Sequence, residues 1–385
     1  MPKYYVVITP FFPSSGSFRG PYVLDQVKAI KRNSDYEVIV LMPSLFYHHD
    51  DDYEYDGIKV YRFTDYNLPS NLWPNAMTDR LSIHSMFKAL KRIGIEISDI
   101  AVAHSHVTRF GIWANALKRR NPRIVSIVQH HGFDVMSLTD GRLANYVFHK
   151  RHCISYGRKI CNEADINVGV SRKTLDYVKA VPGIKLKNEY VLYNGVDTSL
   201  FYQDKNKRPD SQFFTIGCIA NFWELKDQMT LIRAVERLIN DGIPNIKVIF
   251  IGTGYTRQQC EDYVNSHELN PHFEFREEVK HHELPAFYHS LNLFVLPSYW
   301  EAFGCVYTEA YACGVPFIGV KGQGIAEIVD KPDIDRWLID KGDSKHLSEL
   351  IRKSIIKPSE MPELNTCYDI DNLIGAFLED NRLKQ

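Results

Sequence analysis

Nowhere in its 385 residues does this chain hold the roughly 20 consecutive apolar residues that a bilayer-spanning helix needs, which leaves only peripheral membrane contact. Its start, MPKYYVVITPFFPSS, has no signal-peptide cleavage pattern; the apolar run from Tyr4 to Thr9 ends at Pro10 and reads as a buried first strand. The seven cysteines are odd in number and contain no CxxC pair, which argues against a disulfide framework. Five of them lie among apolar neighbours, as reduced thiols of a cytosolic protein do. Low-complexity tracts, short internal repeats and recognised nucleic-acid motifs are all missing. Net charge is nearly missing too, at −1 near neutral pH.

That small net charge hides an asymmetry. Residues 1–197 hold 26 Lys and Arg against 19 Asp and Glu, whereas residues 198–385 hold 20 against 28. A basic first half suits an anionic partner, whether a lipid surface, a phosphorylated acceptor or nucleic acid, although scattered solvated lysines give the same count. The composition, 44% hydrophobic and 24% charged, is that of an ordinary globular protein. Its length suggests two domains, at 1–200 and 201–365, followed by a terminal helix in 366–385.

Short β-branched or aromatic runs (YYVVIT, EVIVLMP, DIAVAHSH, RIVSIVQHHG, DINVGVS) alternate with longer amphipathic stretches, the pattern of a parallel sheet covered by helices. Residues 50–74, rich in Asp and Tyr, read as a hairpin or an irregular excursion. After the linker-like QDKNKRPDSQ at 203–212 the alternation restarts with FFTIGCIAN, a helix from about Lys226 to Asn240, NIKVIFIGTG, a helix near 257–267, FEFREEV, a helix near 283–291, LNLFVLPS and a helix after Gly304. The fold class is therefore α/β, with two Rossmann-like units. Ligands of such sheets bind beyond the carboxyl ends of the strands, so the residues there are the candidates.

The richest of these segments is PSYWEAFGCVYTEAYACGVPFIGVKGQGIAEIV at 297–329. It places Glu301 and Glu309 around a helix start at Phe303-Gly304. The first-turn N–H groups of Gly304, Cys305 and Val306 have no intrahelical acceptors and suit phosphate oxygens. Gly304 lets that backbone come close. Glu309, two turns further, is a carboxylate amid apolar neighbours that needs donors, and ribose hydroxyls would supply them. A solvent-facing Glu309 is the plain alternative. The pairs His104/His106 and His281/His282 lack a third ligand at metal-binding spacing, so no metal is expected.

These residues resemble the family 4 glycosyltransferases of the GT-B fold, whose hallmark is Glu-x7-Glu followed by a small-residue turn and proline, here Glu301 to Glu309 and then Ala312-Cys313-Gly314-Val315-Pro316. Further family-like segments follow one another from HSHVTRFGIWA at 104 to IGTGY at 251. The resemblance implies two Rossmann-like domains with parallel sheets facing a central cleft, and transfer of sugar from a nucleotide-diphosphate sugar, UDP- or GDP-linked, with retention at the anomeric carbon and without metal or other cofactor. It implies that Lys226 neutralises the donor diphosphate, that His131 (rather than its neighbour His130) reaches the donor sugar, and that Glu301 lies against the transferred sugar while Glu309 meets the ribose. Gly16 would approach the phosphates, though the family's double glycine is missing; Val279 would mark the base-binding backbone, and Gly252 would line the same pocket. Asn221 stands where members often carry Arg, and Arg19 and Arg172 are candidate replacements for that charge.

The acceptor implied is a glycan or lipid-linked molecule of surface polysaccharide or glycolipid synthesis, handled in the cytoplasm or at the inner face of the membrane, without nucleic acid. Another GT-B enzyme, an epimerase or phosphorylase, and an inactive nucleotide-sugar-binding protein are the rivals; the missing charge at Asn221 is the sequence hint of the last.

Overall fold

The computed structural model describes residues 3–17, 19–48, 50–67, 78–135, 147–204, 212–358 and 360–383, and of residues 147–149 the backbone only. Most of the linker expected at 203–212 and the end of the 50–74 excursion lie outside the described residues. The chain forms two compact units, one of Met1–Gly195 with Ile370–Gln385 and the other of Val196–Asp369.

The first unit holds strands β1 (Tyr4–Ile8), β2 (Glu37–Leu45), β3 (Tyr53–Tyr55), β4 (Ile58–Asp65), β5 (Ile100–His106), β6 (Val125–His130), β7 (Ile166–Gly169) and β8 (Glu189–Val191). They align as β3-β4-β2-β1-β5-β6-β7-β8. Every pairing is parallel except β3 with β4, so of the two forms expected for the Asp- and Tyr-rich stretch its described part takes the hairpin, at the edge of the parallel sheet. Tyr5, Val6, Val7 and Ile8 of β1 are all fully buried, because successive side chains of a central strand meet two covered faces. Tyr5 and Val7 join the core under helices α1 (Pro21–Arg32) and, from the C-terminal segment, α12 (Ile370–Leu378). Val6 and Ile8 join the core under α2 (Asp79–Arg92), α3 (Gly111–Arg120) and α4 (Val147–Glu163). Helix α5 (Arg172–Ala180) starts at Ser171, whose hydroxyl accepts the Thr174 N–H as an N-cap. Strand order reverses between β1 and β5, the place where open parallel sheets offer a crevice.

The second unit is a parallel sheet of β9 (Phe214–Ile219), β10 (Ile246–Ile251), β11 (Phe273–Arg276), β12 (Leu293–Val295), β13 (Phe317–Val320) and β14 (Leu338–Ile339), ordered β11-β10-β9-β12-β13-β14. Its helices are α6 (Gln228–Asn240), α7 (Arg257–Ser266), α8 (Leu284–Tyr288), α9 (Cys305–Ala312), α10 (Ile334–Trp337) and α11 (Ser344–Ile356). The strand order reverses between β9 and β12. Segments leaving the carboxyl ends of these two neighbours therefore meet, and they are the ones that carry Lys226 and Glu301.

Candidate donor site

Helix α6 begins at Gln228, two residues after the expected start at Lys226. Asp227 adopts a left-handed conformation (φ 50°), so Glu224–Lys226 forms a separate 3-10 turn. The Leu225 carbonyl in that turn accepts the Tyr299 N–H at 3.0 Å and the Ser298 hydroxyl at 3.0 Å, which ties the exit of β9 to the exit of β12. The result is an ion pair between Lys226 Nζ and Glu301 Oε1, with both side chains mostly buried. The Glu301 N–H donates to Gln323 Oε1 at 2.8 Å, so the exit of β13 holds the same loop.

Helix α9 follows at once. Gly304 precedes it with φ 92°, a left-handed value, and a Cβ there would lie 2.7 Å from the Tyr307 ring. Tyr307 is anchored beneath by its hydroxyl, which donates to the Leu296 carbonyl at 2.7 Å. Phe303 is buried, while Cys305 and Val306 in the first turn are half-buried. Glu309 is the fifth residue of the helix, one turn beyond its start rather than two. It is buried, at 6% exposure. Its donors come from the chain itself. The Tyr288 hydroxyl donates to Oε2 at 2.8 Å, and His281 Nε2 lies 3.3 Å from Oε1. Burial and the adjacent carboxylate raise the Tyr288 pKa well above its usual value, which keeps the phenol a donor. The carboxylate thus has donors from the chain before any ribose arrives, and each of its oxygens keeps a further lone pair.

Gly252 follows β10 with φ 144°, and a Cβ there would lie 2.2 Å from the Ala220 carbonyl oxygen, so the close approach of the β9 and β10 exits requires glycine. Asn221 is exposed and holds its turn through its backbone carbonyl, which accepts Gln228 Nε2 at 3.1 Å. Val279 is half-buried in the stretch after β11. Among the described residues, no three His, Cys, Asp or Glu are grouped to hold a metal ion.

In the first unit, His131 follows β6 and is half-buried, with its Nε2 2.9 Å from Nδ1 of His106 at the end of β5. Its N–H donates to Asp134 Oδ1 at 3.0 Å. The rings of His104, His106 and His131 form a column, with centroid spacings of 4.8 and 5.1 Å, and Tyr22 covers the outer end at 5.1 Å. His130 is fully buried and donates from Nε2 to Asn167 Oδ1 at 3.1 Å, a structural bond within the sheet. Gly16 lies in the exposed Ser14–Ser17 turn with open space where a Cβ would be, so nothing in its packing demands glycine. Arg19 and Arg172 are exposed on this unit.

Burial lowers the pKa of His104 to about 3 and of His131 to about 4, and holds His106 and His130 below the ordinary 6.5 as well. These rings are neutral when folded and gain protons when unfolded in acid. Their contribution to stability is complete above about pH 6.5 and is lost as pH falls through the folded values. The melting midpoint is expected to drop between pH 6.5 and 4, with proton uptake on unfolding, and His104→Gln should make that slope shallower. A midpoint independent of pH over this window would contradict the assignment.

Sequence reasoning did not assign Tyr288 and Gln323 of the second unit, or His106 of the first, to a site; Tyr288 meets Glu309, Gln323 meets Glu301 and His106 meets His131, each from another element.

The geometry defines a protein of the GT-B fold class. Sucrose-phosphate synthase from Thermosynechococcus elongatus has a similar structure (TM-score 0.71, 17% identity, covering 99% of this chain and 94% of that one). So does HepE of Anabaena in complex with UDP (TM-score 0.66, 17% identity, 97% and 94%). The model described as Glycosyltransferase Family 4 matches residues 20–200, and that described as Glycosyl transferases group 1 matches residues 202–366. The chain belongs to glycosyltransferase family 4. A capsular polysaccharide biosynthesis glycosyltransferase of Staphylococcus aureus is 30% identical over 42% of this chain and 43% of its own length. A GDP-mannose-dependent alpha-(1-6)-phosphatidylinositol monomannoside mannosyltransferase of Mycolicibacterium smegmatis is 28% identical over 48% and 54%. The matches thus span about half the length of these curated relatives.

Proposed function

We propose that this chain is a retaining glycosyltransferase that moves a sugar from a UDP- or GDP-linked donor to a glycan or lipid-linked acceptor without a metal ion. The observation that carries the reading is the meeting of Lys226, Glu301 and the α9 N-terminus at the strand-order reversal of the second unit. An ammonium and a helix N-terminus together suit a diphosphate that must leave with its negative charge stabilised. Glu309 takes a ribose hydroxyl through its remaining lone pairs, Glu301 takes hydroxyls of the transferred sugar, and the backbone around Val279 takes the base. His131 is assigned to the donor sugar and Gly16 to the donor phosphates. The relatives named above support a surface-polysaccharide or glycolipid setting.

The test is a thermal-shift screen against UDP-, GDP- and ADP-sugars, in which a ligand at 100 times its dissociation constant stabilises by about 2.7 kcal/mol. Binding is followed by product analysis with an added acceptor. A product glycoside with the donor's anomeric configuration supports the reading; epimerised sugar, sugar phosphate or the absence of both donor hydrolysis and transfer overturns it.

The basic first half has a matching surface. A groove of about 590 Å³ between α2, α3 and α4 has Ile83, Phe87, Ile112 and Ala116 on its apolar side. Arg80, Arg120 and Lys159 stand exposed around it, and none has an ion-pair partner among the described residues. Asp79 and Glu163 line it too, Glu163 paired with Arg119, but the four cations outnumber the two carboxylates, and an apolar floor with a net cationic rim suits anionic lipid. Near an anionic membrane each cation contributes about 1 kcal/mol, so reversing all three to Glu should weaken binding to anionic vesicles at least about tenfold. Rising salt should weaken it as well. Equal sedimentation with neutral and anionic vesicles would show that the charge asymmetry is incidental.

A further inference from the structure

The histidine column in the first unit contains one hydrogen bond with consequences for its neighbour. His106 Nδ1 and His131 Nε2 are 2.9 Å apart, so one nitrogen carries the proton and the other accepts it. The remaining nitrogen of His106, Nε2, is buried and has no hydrogen-bond partner among the described residues. A proton on Nε2 would leave a buried N–H donor unpaired, and such orphans are rare because they lose their full solvation. The lower-energy arrangement puts the His106 proton on Nδ1, and the bond then runs from His106 to His131.

Two features hold this geometry. His106 is the last residue of β5, at the strand-order reversal of the first sheet, and its ring is clamped between His104 and His131 at 4.8 and 5.1 Å. Directly after it, Val107 takes φ 75°, a left-handed value that costs a β-branched residue on the order of 1 to 3 kcal/mol. This turn brings the Thr108 N–H within 2.7 Å of Asp134 Oδ2, while Asp134 Oδ1 accepts the His131 N–H. The strained turn and Asp134 thus fasten the ends of both histidine-bearing strands together.

We infer that His106 is a positioning residue for His131: its Nδ1–H donates to His131 Nε2 and fixes His131 as the neutral tautomer protonated on Nδ1. His131 then offers the donor sugar an N–H donor, and its Nε2 is unavailable as a proton acceptor. The catalytic consequence rests on the assignment of His131 to the donor sugar under Proposed function; the tautomer does not.

The test uses the full chain labelled with ¹⁵N-histidine. Long-range proton–nitrogen spectra should show the Nδ1–H pattern for His131, identified by its loss in His131→Gln. His106→Asn keeps an N–H donor near the position of Nδ1 and should preserve the pattern. His106→Phe keeps ring volume without the donor, and should shift His131 toward the Nε2–H form. Turnover should fall about tenfold in His106→Phe with donor affinity little changed, and recover to within about threefold in His106→Asn. A wild-type spectrum with His131 protonated on Nε2 overturns the proposal, even if His106→Phe fails to fold. If His131→Gln is impaired but His106→Phe is not, the positioning role falls; if His131→Gln itself turns over normally, the reading of His131 falls instead.

Discussion

Replacing Lys226 by Ala is expected to lower turnover by a factor on the order of 100 or more while the fold survives, as when one group stabilising transition-state charge is removed. The turn that holds it is secured by the Leu225 carbonyl rather than by the lysine side chain, so the backbone should stay in place. Two losses combine. The ammonium no longer meets the charge that develops on the departing diphosphate. In addition, Glu301, only 8% exposed, is left as an uncompensated carboxylate beside that same charge. Adding Glu301→Gln to Lys226→Ala should therefore recover part of the lost affinity for the nucleoside diphosphate, although it should not restore turnover. Steady-state kinetics with circular dichroism on the variants decides it. Transfer at the wild-type rate in Lys226→Ala would remove Lys226 from the site.

The legibility of this protein follows chain distance. Glu301, Gly304 and Glu309 could be put on one strand exit and the helix after it because local geometry alone relates them, although Glu309 falls one turn into that helix rather than two. The alternation of strand and helix patterns was readable for the same reason, since periodicity reports the faces of each element. The start of α6 was misplaced because Asp227, a residue that tolerates left-handed backbone, breaks the helix where the periodic pattern continues. The antiparallel β3–β4 pair was only half legible, as short strands rich in Asp and Tyr carry weak alternation. Tyr288, His281 and Gln323 were illegible as partners. Their contacts with Glu309 and Glu301 arise from the sheet order, which no local pattern encodes. Gly252 is expected from sequence to line the base pocket beside Val279, yet the neighbouring carbonyl of Ala220 already explains why that position is glycine.

Calorimetry with the nucleoside diphosphate alone should separate the two carboxylates. Glu309 sits inside α9 with Tyr288 donating to one oxygen, so its orientation is set before any ligand arrives. Glu309→Gln keeps one acceptor oxygen but loses the charge that strengthens hydrogen bonds from ribose hydroxyls, a difference of about 1 to 2 kcal/mol, or roughly 5- to 30-fold in affinity. Both the intact donor and the free diphosphate should bind more weakly. Glu301 acts in the opposite direction, because in the unliganded protein its carboxylate already occupies Lys226. Glu301→Gln removes that competitor and leaves the ammonium open to the diphosphate. Its affinity for the free diphosphate should be unchanged or higher, while transfer of sugar should fall if, as proposed, this group faces the transferred sugar. Only Glu309→Gln is therefore expected to lose diphosphate affinity, a contrast that no general loss of stability produces. Should Glu301→Gln lose more diphosphate affinity than Glu309→Gln, the two roles are exchanged and the ribose contact belongs to the loop rather than to the helix.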